Sequence, residues 1–179
     1  TRPLDVWRST DGGDTWTAVT APVPIPGGLR YVGGSTVTAS AVNPDLIFLA
    51  AFVIDVRGDG LEVSYGIWRS TDRGASFIET DAPSGTGLQY YGVAASPDED
   101  LYYAFGFNDL DQGIIRSNSN GGSFWEPVTS APNRGFFTGT FDPTNSSVLM
   151  AASLGSGIYR HVVHGAEWVP KNLGLTGGG

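Results

Sequence analysis

Two acidic stretches hold the residues best suited to acid–base chemistry. Asp55-Val56-Arg57-Gly58-Asp59-Gly60-Leu61-Glu62 is the more charged, and Asn108-Asp109-Leu110-Asp111 is the second. A pair of carboxylates roughly 5–10 Å apart is the apparatus of glycoside hydrolysis. Asp55, Asp59, Asp109 and Asp111 are therefore the catalytic candidates. Asp55, Asp59 and Glu62 also have the hard oxygens that calcium prefers, but their spacing matches no EF-hand loop. The structural alternative for the first stretch is a solvated hairpin tip. Arg57 is a candidate ligand contact, although Arg57-Gly58-Asp59 as a three-letter adhesion motif carries little weight in a glycine-rich chain.

Aromatic residues form the second group. Tyr31, Tyr90, Tyr91, Phe136 and Phe137 precede or begin predicted strands. Exposed rings there suit the C–H faces of sugars, and Tyr31, Tyr90 and Phe136 are taken as binding candidates. The structural alternative is packing between sheets. Strand alternation turns one ring of each adjacent pair inward and the other outward, so at most half can meet a ligand.

Other chemistries lack their residues. The chain has no cysteine, which excludes disulfides and thiolate metal sites. His161 and His164 have no third ligand in register, so no metal site is expected, and no cofactor. No glycine-rich phosphate loop or nucleophile elbow is present. A net charge of −8 argues against nucleic acid. No stretch is long and apolar enough for a membrane span. Asn145-Ser146-Ser147 matches a glycosylation acceptor. Thr1 is not an initiator methionine, so a processed or cut chain is expected.

The elements that must position these residues come from a repeat. Arg8-Ser9-Thr10-Asp11-Gly12-Gly13-Asp14-Thr15-Trp16 recurs as Arg69-Ser70-Thr71-Asp72-Arg73-Gly74 with Phe77. It recurs again as Arg116-Ser117 with Gly121 and Phe124, and in worn form as Arg160-His161 with Gly165 and Trp168. Two large apolar residues precede each arginine. The arginines are 61, 47 and 44 residues apart. Each copy reads as a hairpin turn: the aspartate accepts backbone N–H bonds, the glycine takes an angle closed to a Cβ, and the aromatic plugs the loop.

Short apolar strands fill the gaps. Val37–Val42 and Leu46–Phe52 precede a polar loop over 53–65 and a hairpin at 66–80; the order then recurs twice. Four strands at this period make a propeller blade. The predicted organisation is a half-blade 1–20, blades 35–80, 88–128 and 134–170, and a lead 171–179 into a next blade or tail. The fold class is all-β, a β-propeller segment of about three and a half four-stranded antiparallel blades.

The pattern Ser9-x-Asp11-x-Gly13-x-x-Trp16 resembles the Asp-box, or BNR repeat, of sialidases, sortilin-like receptors, photosystem assembly factors and xyloglucanase-type glycoside hydrolases. Trp7–Gly13 with Trp16, and the tail Asn172-Leu173-Gly174-Leu175-Thr176-Gly177, look most like the xyloglucanase group. The resemblance spans almost the whole chain. It implies that the boxes are structural and lie on one face. It also implies that ligands meet the opposite face, at 20–35, 53–65, 81–91, 106–112, 129–136 and 153–156. In the xyloglucanase group the carboxylates come from two propellers flanking a cleft, and no match to the first catalytic motif is found here. The arginines fall one per blade and cannot converge on a carboxylate, which excludes the sialidase reading.

The leading expectation is a non-catalytic structural or binding segment of an extracellular bacterial protein. It would contact carbohydrate or protein, or self-associate through open blade edges. The alternatives are a fragment of a xyloglucanase-type hydrolase acting on β-glucan, and a propeller assembly factor.

Overall fold

The computed structural model describes residues 5–20, 29–57, 60–82, 89–107, 113–117, 121–132 and 135–173. Among them are fourteen strands and no helix. Strands β1 (Asp5–Arg8) and β2 (Thr17–Thr20) form a two-stranded sheet. Blade I comprises β3 (Leu29–Ala39), β4 (Ile47–Arg57), β5 (Gly60–Ser70) and β6 (Ile78–Glu79). Blade II comprises β7 (Gln89–Ala95), β8 (Tyr102–Phe107), β9 (Ile114–Ser117) and β10 (Glu126–Pro127). Blade III comprises β11 (Phe136–Asp142), β12 (Asn145–Ser153), β13 (Gly157–Val162) and β14 (Trp168–Pro170). Each is an antiparallel meander.

The first strands of successive blades touch: β3 meets β7, and β7 meets β11. Thr36 and Thr38 of β3 donate side-chain hydrogen bonds to the carbonyls of Tyr91 and Val93 in β7, at 3.1 and 2.7 Å. Small residues at these positions let the inner strands approach. Three apolar cores lie between neighbouring sheets. Val6 and Val19 pack on Leu49, Ala51, Trp68 and Phe77. Phe48, Ala50 and Ile67 pack on Tyr90, Tyr102 and Trp125. Tyr103, Phe105 and Ile114 pack on Phe136, Leu149, Ala151 and Tyr159.

Strands run through two expected loops. In place of a polar loop over 53–65, β4 and β5 pair in register from Ile47↔Ser70 to Arg57↔Gly60. Val53, Ile54, Val56, Leu61 and Val63 supply the β-branched and aliphatic content that favours extended pairing. β3 likewise begins at Leu29, inside the expected loop over 20–35.

The serine–aspartate turns close the hairpins at one end of the sheets. Ser9 Oγ accepts from the N–H groups of Asp11 and Gly13 and donates to Asp11 Oδ1. Asp11 then accepts from both the backbone and the hydroxyl of Thr15. Ser70, Asp72, Gly74 and Ser76 repeat this network bond for bond. The hydroxyls of Thr15 and Ser76 are partners that the motif alone did not single out.

The third turn differs from its expected register. Arg116 pairs with Glu126, ten residues on, whereas Arg69 pairs with Ile78 nine residues on. The turn is one residue longer, so Phe124 is 55 % exposed and Trp125 is the buried plug. Ser117 ends β9, and Gly121 binds the neighbouring blade through its carbonyl, which accepts from Arg69 Nη1 at 3.3 Å. In the fourth turn, His161 replaces the serine. It is buried, its Nδ1 lies 3.0 Å from the Glu167 carbonyl, and its ring stacks on Trp168 at 4.3 Å.

These networks predict a specific acid sensitivity. The Thr15 hydroxyl, chiefly, holds the Asp11 carboxyl down to about 2, and the Ser76 hydroxyl does the same for Asp72. A depressed carboxyl stabilises the fold above its unfolded value, near 3.8, and loses that contribution as pH falls toward 2. The urea midpoint of the protein is expected to fall across pH 3.8 to 2. An Asp11→Ala/Asp72→Ala variant is less stable at pH 7 and has a shallower acid slope. Equal slopes for the two proteins would sink this account.

Candidate functional site

The end of the sheets opposite the serine–aspartate turns is shaped by one recurring irregularity. Each inner strand carries a single-residue bulge at the same place. Pairing jumps from Gly34↔Ala51 to Thr36↔Ala50, from Tyr90↔Gly106 to Gly92↔Phe105, and from Phe136↔Ser153 to Thr138↔Ala152. The residues skipped are Ser35, Tyr91 and Phe137. A bulge bends its strand and re-aims the extra side chain, and bulges are concentrated beside functional sites.

Two of the three bulge residues are aromatic, and they meet. Tyr91 and Phe137 lie edge to face, with centroids 5.4 Å apart. Phe107, from the end of β8, stacks on Tyr91 at 5.4 Å and meets Phe137 at 6.4 Å. Tyr65 of β5 is 6.4 Å from Tyr91. Four rings from three blades thus form one array. Phe137 is 41 % exposed and the others are half-buried. The Tyr91 hydroxyl donates to Gln89 Oε1 at 2.6 Å, which gives the array a polar edge. Burial, with the Tyr65 phenol beside it, pushes the Tyr91 hydroxyl up from its ordinary value.

Backbone close to the array has no room for side chains. A Cβ on Gly92 would lie 3.3 Å from the Phe137 carbonyl oxygen, and one on Gly135 would lie 2.7 Å from Phe107 Cβ. The inner strands therefore hold the rings closely, as a preformed surface should.

The expected binding residues are distributed differently. Tyr90 is 1 % exposed and Phe136 is fully buried. Both precede the bulge and face the cores between blades, so they are packing residues and their neighbours Tyr91 and Phe137 carry the exposed surface. Burial accordingly raises the Tyr90 hydroxyl far above the usual phenol range. The adjacent-pair rule required one ring of each pair to turn in. It could not say which, because the bulge resets the alternation. Phe107 and Tyr65 fall in the expected ligand-facing stretches 106–112 and 53–65, but neither was singled out, since neither belongs to an adjacent aromatic pair.

Tyr31 lies in β3 opposite Ile54. Asp55 and Arg57 lie near the end of β4, opposite Glu62 and Gly60. Asp59, Asp109 and Asp111 lie outside the described residues. Among the described residues no cluster of three or more metal-binding side chains occurs. His164 Nε2 instead pairs with Glu99 Oε2 at 2.9 Å, across blades II and III.

Comparison with known proteins places this geometry. No family model matches the chain. A xyloglucanase of Hypocrea jecorina (strain QM6a) is 25 % identical over 150 residues, which cover 83 % of this chain and 15 % of that protein. Among solved structures, an ancestral GH74 enzyme superposes with a TM-score of 0.65 at 20 % identity, over 93 % of this chain and 21 % of that one. The GH74 xyloglucanase from Xanthomonas campestris gives 0.64 at 18 % identity, over 95 % and 27 %. The chain thus spans about a seventh of the length of the curated relative and about a quarter of the solved structures. With its meandering sheets and touching inner strands, the chain is a segment of a β-propeller, with the fold seen in the GH74 enzymes.

Proposed function

We propose that the chain is a glycan-contacting segment of an extracellular β-propeller protein of the Asp-box, xyloglucanase-like type. Its ligand is a neutral β-glucan, and it is held on the array of Tyr65, Tyr91, Phe107 and Phe137. The observation that carries this reading is the repeated bulge, which brings Tyr91 and Phe137 together at the loop end of adjacent blades. Pyranose rings with equatorial hydroxyls offer an apolar C–H face to such rings. The polar rim of Tyr91 and Gln89 suits the ring hydroxyls. A net charge of −8 disfavours an acidic polysaccharide. The likeness to a xyloglucanase supports a β-glucan over other neutral glycans.

The segment's own role in this reading is binding. The second reading, part of a hydrolase that cleaves the same glycan, is favoured by the same likeness. It needs a carboxylate pair, for which Asp55, Asp59, Asp109 and Asp111 are the candidates. One set of titrations separates the two. Calorimetry with xyloglucan oligosaccharides is expected to show binding that Phe137→Ala weakens about tenfold or more, as for a central aromatic anchor. Tyr91→Phe, which keeps the ring and loses the hydroxyl's bonds to Gln89 and Tyr65, has a smaller effect. Asp59→Ala and Asp109→Ala leave affinity unchanged. No binding by the parent chain, or full affinity in Phe137→Ala, overturns the glycan surface. Release of reducing ends by the parent chain that is lost in either aspartate variant replaces the binding role with catalysis.

A further inference from the structure

One polar side chain beside the ring array is held by one end only. Gln89 opens β7 opposite Phe107, the last residue of β8, and is half-buried. Its amide oxygen accepts from the Tyr91 hydroxyl at 2.6 Å. Its amide nitrogen has no partner among the described residues. A primary amide has two N–H donors, so the acceptor is engaged here while both donors stay available. The Tyr91 hydroxyl is bonded in turn to the Tyr65 phenol. Gln89 therefore ends a line of polar groups that starts in blade I and runs along the edge of the rings. A phenol has one proton. Tyr91 gives its own to Gln89 and accepts from Tyr65, so the line has a direction, and the two N–H donors of Gln89 are what it presents outward.

We propose that Gln89 is a specificity-determining residue: its amide nitrogen donates to two adjacent equatorial hydroxyls of a sugar lying on the array, and so selects gluco-configured chains over chains with an axial hydroxyl on that edge. The inference rests on the glycan-binding reading of the array. Equatorial hydroxyls project outward in the plane of a stacked sugar, toward the rim where Gln89 stands. An axial hydroxyl points along the stacking direction, into the rings or away from the rim. One amide nitrogen carries two donors, as many as a pair of adjacent equatorial oxygens can accept. Selection comes from the cost of a desolvated donor left without an acceptor, which a hydrogen-bonding site enforces more strictly than an apolar pocket does. The rings supply contact area rather than a reading of single hydroxyls. Tyr91 is the positioning residue, because its hydroxyl holds the amide at the rim.

Calorimetry with cellohexaose and mannohexaose tests it, since these β-linked chains differ in having the C2 hydroxyl equatorial or axial. The parent chain is expected to bind cellohexaose about tenfold or more tightly than mannohexaose. Gln89→Met keeps the length of the side chain and removes both donors. It should bring the two affinities within about twofold, mainly by weakening cellohexaose. Phe137→Ala, by contrast, weakens both oligosaccharides together. Tyr91→Phe leaves Gln89 in place but untethered, so the preference falls part of the way. Circular dichroism and the urea midpoint check that each variant folds as the parent chain does. A parent chain that binds both oligosaccharides equally overturns the selection. So does a Gln89→Met variant that keeps the parent's preference. Either result leaves the glycan surface standing. A parent chain that binds neither oligosaccharide overturns the surface, and the role of Gln89 with it.

Discussion

Gly122→Ala is expected to destabilise the protein by about 2–5 kcal/mol. Two costs combine at this position. The backbone is left-handed, with φ +70°, and an L-residue there costs roughly 1–2 kcal/mol. The added methyl would also lie 2.4 Å from Cε1 and Cζ of Phe48. That ring has nowhere to move: it is fully buried, 4.5 Å from the Tyr102 ring and 5.9 Å from Trp125. Overpacking of a held core residue costs typically about 1–3 kcal/mol. Gly12→Ala isolates the first term. Its φ is +75°, and nothing lies within 4 Å of the position a Cβ would take. Urea unfolding should therefore show a loss of about 1–2 kcal/mol for Gly12→Ala and a clearly larger one for Gly122→Ala. Since a domain of this size is stable by only about 5–15 kcal/mol, the second variant is expected to be partly unfolded when warmed. Equal losses would mean that the third turn does not press on the blade I core.

The same turn shows where the sequence was legible. The spacing of arginine, serine, aspartate, glycine and aromatic marked the hairpins, because each residue acts locally. Ser9 and Asp11 make their bonds within a window of seven residues. Propeller architecture followed from the period alone. The third turn was misregistered because Ser119 replaces the aspartate and leaves two adjacent aromatics, Phe124 and Trp125. Local rules cannot choose between them. The choice is made by the blade I core, where Trp125 meets Phe48. The candidate site was hidden for a related reason. A bulge is a property of two paired strands, and neither Tyr90-Tyr91 nor Phe136-Phe137 shows in its own sequence where pairing slips. The array then depends on rings brought together from three sheets, which no single stretch specifies. The first acidic stretch, the most conspicuous by charge, gives the opposite lesson: Asp55 and Arg57 belong to strands paired in register.

Phe105→Ala should cost about 3–5 kcal/mol, the range for emptying a buried phenylalanine site. Phe105 is fully buried between blades II and III, among Leu149, Ala151 and Tyr159. Opposite its ring edge is Gly139 of the neighbouring inner strand. A Cβ there would lie 2.3 Å from Phe105 Cζ. Ring and glycine are thus the two halves of one close approach, which lets β11 lie flush against blade II. Such pairs are not additive, and coupling of about 0.5–3 kcal/mol is usual for residues in contact. Gly139→Ala alone is expected to destabilise by overpacking. In the Phe105→Ala background the same methyl enters vacated space, so its cost falls. It does not vanish, because the Met150 carbonyl oxygen stands 2.8 Å from that Cβ and belongs to the backbone of the paired strand. The expected result is a double variant more stable than the sum of the two single losses predicts, yet still less stable than the parent chain. Strict additivity in urea unfolding would mean that the ring and the glycine do not meet. The flush packing of blades II and III would then rest on the remaining core instead. The same packing sets the distance between β7 and β11, and with it the approach of Tyr91 to Phe137. Phe105→Ala should therefore weaken glycan binding without touching the array itself.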